Sequence, residues 1–110
     1  MEKPLIGDVM VIPLPFSDLS ATKRRPAVVV GTATDGDVIL RQITSKPPRA
    51  PYEVALLPTD VVLGGLRVAS TIRPGKLFPL NERLITRRRG ILTMKKLNAV
   101  KAALRQVFHL

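Results

Sequence analysis

Cysteine is absent from the 110 residues. That removes disulfide frameworks, thiolate metal sites and thiol nucleophiles, and it fits a reducing compartment. Histidine occurs once, as His109, which leaves no paired-imidazole ribonuclease mechanism and little basis for a histidine metal site. Tryptophan is missing and aromatics make up 4% of the chain (Phe16, Tyr52, Phe78, Phe108), too few for a platform on which successive bases stack. Phe16, beside a basic run, is the one candidate to stack on a base, against packing in the core or a lid. Acidic residues number 8 against 18 Lys and Arg, with no tight carboxylate cluster of the kind a two-metal nuclease needs. No stretch approaches the roughly 20 apolar residues of a membrane span, and no basic stretch leads into a long apolar one at the start. The expectation is a cytoplasmic protein without a membrane partner.

What is present is apolar enough to fold. Hydrophobic residues are 45% and charged residues 24%, so one domain over residues 1–110 with a modest core is expected. The net charge of +10 is unevenly placed. Residues 1–55 hold seven bases against six acids, whereas residues 56–110 hold eleven bases against only Asp60 and Glu82. Such a field attracts a polyanion or an acidic protein; a solvated basic face kept for solubility is the alternative. The run Arg87-Arg88-Arg89 is strong electrostatically and unspecific as a motif.

Turn chemistry and periodicity predict the elements. A strand begins near Val9 and ends at the Pro13 and Pro15 punctuation, residues 16–25 read as a polar loop, and PAVVVG (26–31) is a short strand. Asp35-Gly36 marks a hairpin whose returning strand is VILRQIT. After a Pro-rich loop over 46–51 come YEVALL, a turn-rich connection over 58–66, and RVASTIR and KLFPL separated by Pro74-Gly75. From Thr93, a plausible N-cap, Met94, Leu97, Val100, Leu104 and Val107 recur at helical spacing. Lys95, Lys101 and Arg105 fall on the outer face of that helix. The fold class is mainly β with one helix: a small, strongly bent antiparallel barrel closed by a C-terminal α-helix.

If Asp35 and Gly36 are the two central turn residues, paired positions sum to 71. Ala27 then lies opposite Thr44 and Arg25 opposite Lys46, so Arg25 and Thr44 are diagonal neighbours on one face. A shift of one residue would separate them. Arginine offers a planar fork of donors matched to phosphate oxygens and a charge that persists at neutral pH, and a threonine hydroxyl beside it can hold the same phosphate. The competing reading pairs Arg25 with Asp8 or Asp18 and makes Thr44 an ordinary strand residue. Asp35 and Asp37 read as turn residues.

Taken together, Gly7-Asp8-Val9, Pro15-Phe16-Ser17-Asp18-Leu19, Lys23-Arg24-Arg25-Pro26-Ala27, Gln42-Ile43-Thr44-Ser45-Lys46, Tyr52-Glu53-Val54, Gly64-Gly65-Leu66 and Ser70-Thr71-Ile72-Arg73 resemble the MazF/PemK family of toxins from type II toxin-antitoxin systems. The resemblance implies an SH3-like barrel, a homodimer, and a metal-independent endoribonuclease that cuts single-stranded RNA and needs no cofactor. Attack by a ribose 2′-hydroxyl would leave a 2′,3′-cyclic phosphate and a 5′-hydroxyl. It also implies a cognate antitoxin with an acidic, partly disordered segment. The family's arginine before proline falls on Arg25 and its strand-ending threonine on Thr44, the catalytic candidates. Lys23, Arg24, Ser45, Lys46, Ser70 and Arg73 are the RNA-binding candidates. The sequence departs from the family where some members carry an acidic catalytic residue, since residues 66–80 hold no Asp or Glu. A gyrase poison of the same barrel and a basic RNA-binding barrel without activity are the alternative functions.

Overall fold

A computed structural model describes residues 3–15, 22–33, 35–85 and 87–108. Among the described residues seven strands, β1 (Asp8–Pro15), β2 (Thr22–Thr32), β3 (Asp37–Thr44), β4 (Val54–Leu56), β5 (Val61–Val62), β6 (Ser70–Asn81) and β7 (Arg87–Leu92), precede a helix, α1 (Met94–Phe108). All strand pairs are antiparallel, in the order β4-β6-β3-β2-β1-β7-β5.

The two edge strands are neighbours in the chain. A flat sheet of seven strands would be about 29 Å wide, but the four residues between Leu56 and Val61 can bridge at most about 18 Å. The sheet must therefore curl until its edges approach. The Cα extents of 31 × 31 × 30 Å are those of a rolled sheet rather than a plate. A 3₁₀ turn, Pro58–Asp60, makes the short link. Asp60 secures it three times: its carboxylate accepts from the Leu57 amide at 2.8 Å and faces Lys96 Nζ at 3.5 Å, and its carbonyl accepts from the Thr93 amide at 2.9 Å.

Curling buries both faces, which is why neither carries a clean polar alternation. Val9, Val28, Ile43, Leu56, Ile72 and Leu92 pack with Leu97 and Val100 of the helix. Met10, Ile12, Ala27, Val29, Val38, Leu40 and Ile85 form a second cluster on the opposite face. The helix starts as its sequence predicts, with Thr93 Oγ1 accepting from the Lys96 amide at 3.3 Å. Leu97, Val100 and Ala103 are its buried residues, whereas Met94 is 70% exposed. Lys95, Lys101 and Arg105 are exposed. Among the described residues no helix is long and apolar enough to cross a membrane.

Two expectations need correction, and one strand is unexpected. First, β2 begins at Thr22, so Lys23, Arg24 and Arg25 belong to a strand and not to a loop; β1 holds them in register, with Arg25 opposite Ile12. Second, the segments over 70–81 form one strand, interrupted where five steps along β6, Ile72 to Leu77, face two along β3, Ile43 to Arg41. The unexpected strand is Arg87–Leu92, which its arginines conceal. β1 ends at Pro15, within the expected proline punctuation. Phe16, Asp18 and His109 lie outside the described residues.

The hairpin register differs as well. Thr32 pairs with Val38, a sum of 70, and after an irregularity between Val29 and Gly31, Ala27 pairs with Gln42, a sum of 69. Two one-residue shifts from the expected sum of 71 restore the original parity. By the two-residue period, Arg25 shares a face with Ala27, and Thr44 shares the same face with Gln42.

Candidate functional site

The ladder between β2 and β3 ends at Ala27–Gln42. Beyond it Pro26 and Arg25 stay with β1, opposite Val11 and Ile12, while Ile43 and Thr44 go with β6, opposite Ile72 and Thr71. Pro26 has no N–H with which to continue a second ladder. The two strands part there like a fork, and a cavity of about 510 Å³ lies at the parting. Arg25 and Pro26 line one side; Ile43, Thr44, Ser45 and Ser70 line the other. The fork explains why residues from both faces of the sheet reach one cavity.

The remaining wall comes from the chain after β5 and from β7. Leu66, Arg67 and Val68 contribute from the loop, Arg87 and Arg89 from the strand. Arg88 belongs to a different environment: its Nη2 lies 3.0 Å from the Asp8 carboxylate, which also accepts from the Leu5 amide at 2.9 Å. Asp8 is 2% exposed, so this pair ties β1 to β7 beneath the surface. Asp8, one of the two acids weighed as a partner for Arg25, is thus engaged by Arg88.

Among the described residues four arginines therefore line one cavity, and no Asp or Glu does. Thr44 is fixed within it: its Oγ1 accepts from the Lys46 amide at 3.3 Å, which leaves the hydroxyl proton to be donated to something else. Ser70 Oγ donates to the Val68 carbonyl at 3.1 Å and braces the loop against β6.

The other sequence candidates divide. Ser45 and Ser70 line the cavity. Lys46, expected beside Arg25, instead lines a neighbouring pocket of about 250 Å³, and its carbonyl accepts from Thr71 Oγ1 at 2.8 Å. Arg24 is exposed opposite Pro13 and does not line the cavity. Lys23 pairs with Leu14 through the backbone, and its side chain lies outside the described parts. Arg73 is elsewhere too, bound to Glu53 at 3.2 Å. The Arg49 amide and the Arg73 guanidinium hold the Glu53 carboxyl below its ordinary pKa, against the opposing effect of burial. Among the described residues no group of three His, Cys, Asp or Glu is arranged to hold a metal ion.

Sequence reasoning missed Arg67, Arg87 and Arg89 as lining residues. The arginine run was visible, but only its period-2 alternation, with Arg87 and Arg89 set apart from Arg88, could have sorted it. Arg67 had no local signal.

Comparison with known structures gives the same fold. An endoribonuclease from a mycobacterial species aligns with a TM-score of 0.77 at 20% identity, covering 100% of this chain and 95% of that one. A mycobacterial endoribonuclease in complex with its cognate antitoxin gives 0.77 at 20% identity, over 100% and 97%. The MazE-MazF structure from Deinococcus radiodurans gives 0.77 at 20% identity, over 99% of both chains. No curated protein matches the sequence. The model of the PemK-like, MazF-like toxins matches residues 6–108, and with nearly the whole chain inside that match, the protein belongs to the PemK-like, MazF-like toxin family of type II toxin-antitoxin systems.

Proposed function

We propose that the protein is a metal-independent endoribonuclease, the toxin of a type II toxin-antitoxin pair, which cuts single-stranded RNA at the fork between β2 and β3. The observation that carries this reading is the joint presence of Arg25 and Thr44 at one cavity lined, among the described residues, by three further arginines and no carboxylate.

In the cleavage step the 2′-oxygen of a ribose forms a bond to the adjacent phosphorus and the bond from phosphorus to the 5′-oxygen breaks. A 2′,3′-cyclic phosphate and a 5′-hydroxyl result. The 2′-hydroxyl gives up its proton and the departing 5′-oxygen gains one. Negative charge builds on the non-bridging oxygens as the phosphorus becomes five-coordinate. The Arg25 guanidinium stabilises that charge through paired donors. The Thr44 hydroxyl, whose oxygen is already engaged by the Lys46 amide, donates to the same phosphate and fixes its position. Arg25 acts as a fixed positive charge, and the protons exchange with solvent. Ser45 and Ser70 line the path of the RNA.

The protein acts in the cytoplasm as a homodimer, and an acidic antitoxin segment competes with RNA for the arginines. The reading is tested by incubating purified protein with a long single-stranded RNA in EDTA and mapping the ends. Fragments with cyclic phosphate and 5′-hydroxyl ends are expected. Intact RNA, or cutting that stops on chelation, would refute it.

A further inference from the structure

The charge around the cavity is larger than one scissile linkage requires. An internucleotide phosphate carries a single negative charge; among the described residues the lining carries four arginines and no acid. Among the described residues no carboxylate pairs with Arg67, Arg87 or Arg89, since the ion pairs join Arg73 to Glu53, Arg88 to Asp8 and Lys96 to Asp60. Size points the same way. At about 30 Å³ per liquid water, a cavity of about 510 Å³ holds on the order of 17 water volumes, and one phosphate group displaces only a few of them.

Topology separates the cations into two groups. Arg25 comes from β2, whereas Arg87 and Arg89 come from β7, and β1 lies between them in the sheet. Two strand spacings put those backbones about 10 Å apart. Arg67 joins the second group because its loop is fastened to β7: the Gly65 amide donates to the Arg89 carbonyl at 3.2 Å, and Arg89 Nε donates to the Gly65 carbonyl at 2.9 Å. Arg89 thus positions the loop while its two terminal nitrogens remain for the cavity.

We infer that Arg67, Arg87 and Arg89 form a second phosphate subsite, which holds the linkage next to the one gripped by Arg25 and Thr44. This deepens the nuclease reading and rests on it for the identity of the ligand: the preferred RNA presents at least two consecutive phosphates to this cavity, and a dinucleotide with one phosphate is a poor ligand. Neutral spacing between phosphates would cost affinity whatever the bases.

The test uses 2′-O-methyl oligonucleotides, which lack the attacking hydroxyl, so binding is read without turnover. A dinucleotide with one phosphate, a trinucleotide with two and a tetranucleotide with three are titrated by fluorescence anisotropy from 50 to 200 mM salt. Wild-type protein is expected to bind the trinucleotide at least tenfold more tightly than the dinucleotide at 50 mM salt. The double variant Arg67→Gln/Arg87→Gln, both exposed positions, should keep less than threefold of that gain, and its salt slope should be shallower by about 0.7 for each phosphate that the variant no longer neutralises. Arg67→Lys/Arg87→Lys should recover most of the slope, and circular dichroism should show both variants folded. Equal gain and equal slope in wild type and the Gln variant would overturn the subsite, as would wild-type protein that binds all three ligands alike. Cleavage of a 2′-hydroxyl RNA is followed in parallel: intact RNA with a slope that still falls in the variant removes the nuclease reading alone.

Discussion

Arg89 and Gly65 hold one another twice, amide to carbonyl at 3.2 Å and guanidinium to carbonyl at 2.9 Å. The loop that carries Leu66, Arg67 and Val68 to the cavity is thereby clamped to β7. The approach is so close at the preceding residue, Gly64, that a Cβ there would overlap the Arg89 carbonyl, and Gly64 has a positive φ of 147°.

Gly64→Ala is therefore expected to lose about 3 kcal/mol of stability through clash and backbone strain. For a chain of this size that corresponds to a fall in Tm of roughly 12 °C or more. Thermal unfolding by circular dichroism checks it, and an unchanged Tm would mean that the loop does not pack on β7 as described.

Arg41 is a second unusual arginine. It is 1% exposed, its Nε and Nη2 have no hydrogen-bond partner among the described residues, and burial lowers its pKa to about 10. It lies opposite Val28, on the face covered by the helix. The charge is still present at pH 7, so the folded state carries an uncompensated desolvation cost. Arg41→Met should stabilise the protein by about 1–3 kcal/mol, seen as a raised urea midpoint with an unchanged m-value. From about pH 10 up to the ordinary arginine pKa the unfolded chain binds more protons than the folded one, so wild-type stability rises through that window. A destabilised Met variant would show that the guanidinium has a partner after all.

Glu53 gives a pH-dependent prediction of the opposite kind. Its carboxylate accepts from the Arg49 amide at 2.7 Å and from Arg73 Nε at 3.2 Å, and its pKa is lowered, chiefly by the Arg49 amide. A depressed carboxylate contributes stability that is complete above its unfolded pKa and lost as pH falls through the folded value. Glu53→Gln should cost about 1 kcal/mol at pH 7 and progressively less as pH falls through the folded pKa. Urea midpoints of both proteins followed from pH 7 into acid measure this; a gap that does not narrow would contradict the assignment. RNA cleavage should change little, because neither Glu53 nor Arg73 lines the cavity.

Much of the scaffold could be read from residues. Periodicity from Leu97 onward and the Thr93 cap specify α1, and Asp35-Gly36 specifies the hairpin, with Gly36 at φ 87° and Asp35 Oδ1 accepting from the Asp37 amide at 3.3 Å. The strand Arg87–Leu92 was hidden because three arginines in a row mask an alternation that tertiary context resolves, Arg88 turned to Asp8 and its neighbours to the cavity. Register was hidden for another reason. A single irregularity near Val30 and one extra turn residue shift it by two in all, and nothing in an apolar strand buried on both faces marks either shift. The hairpin count puts Arg25 and Thr44 on one face only because the two shifts cancel in parity, and the fork that opens between them depends on Pro26 losing β3 while keeping β1. Loop residues such as Arg67 reach the cavity only through long-range packing.

The central claim is that one guanidinium on β2 and one hydroxyl on β3 act on the same phosphate, and single-turnover cleavage of a short RNA by wild type, Arg25→Ala and Thr44→Ala measures it most directly. Removing a donor that stabilises transition-state charge is expected to slow cleavage by about 10²–10³-fold for Arg25→Ala, with a smaller loss for Thr44→Ala and RNA binding reduced far less than the rate in both. Cleavage by Arg25→Ala at the wild-type rate would contradict the account.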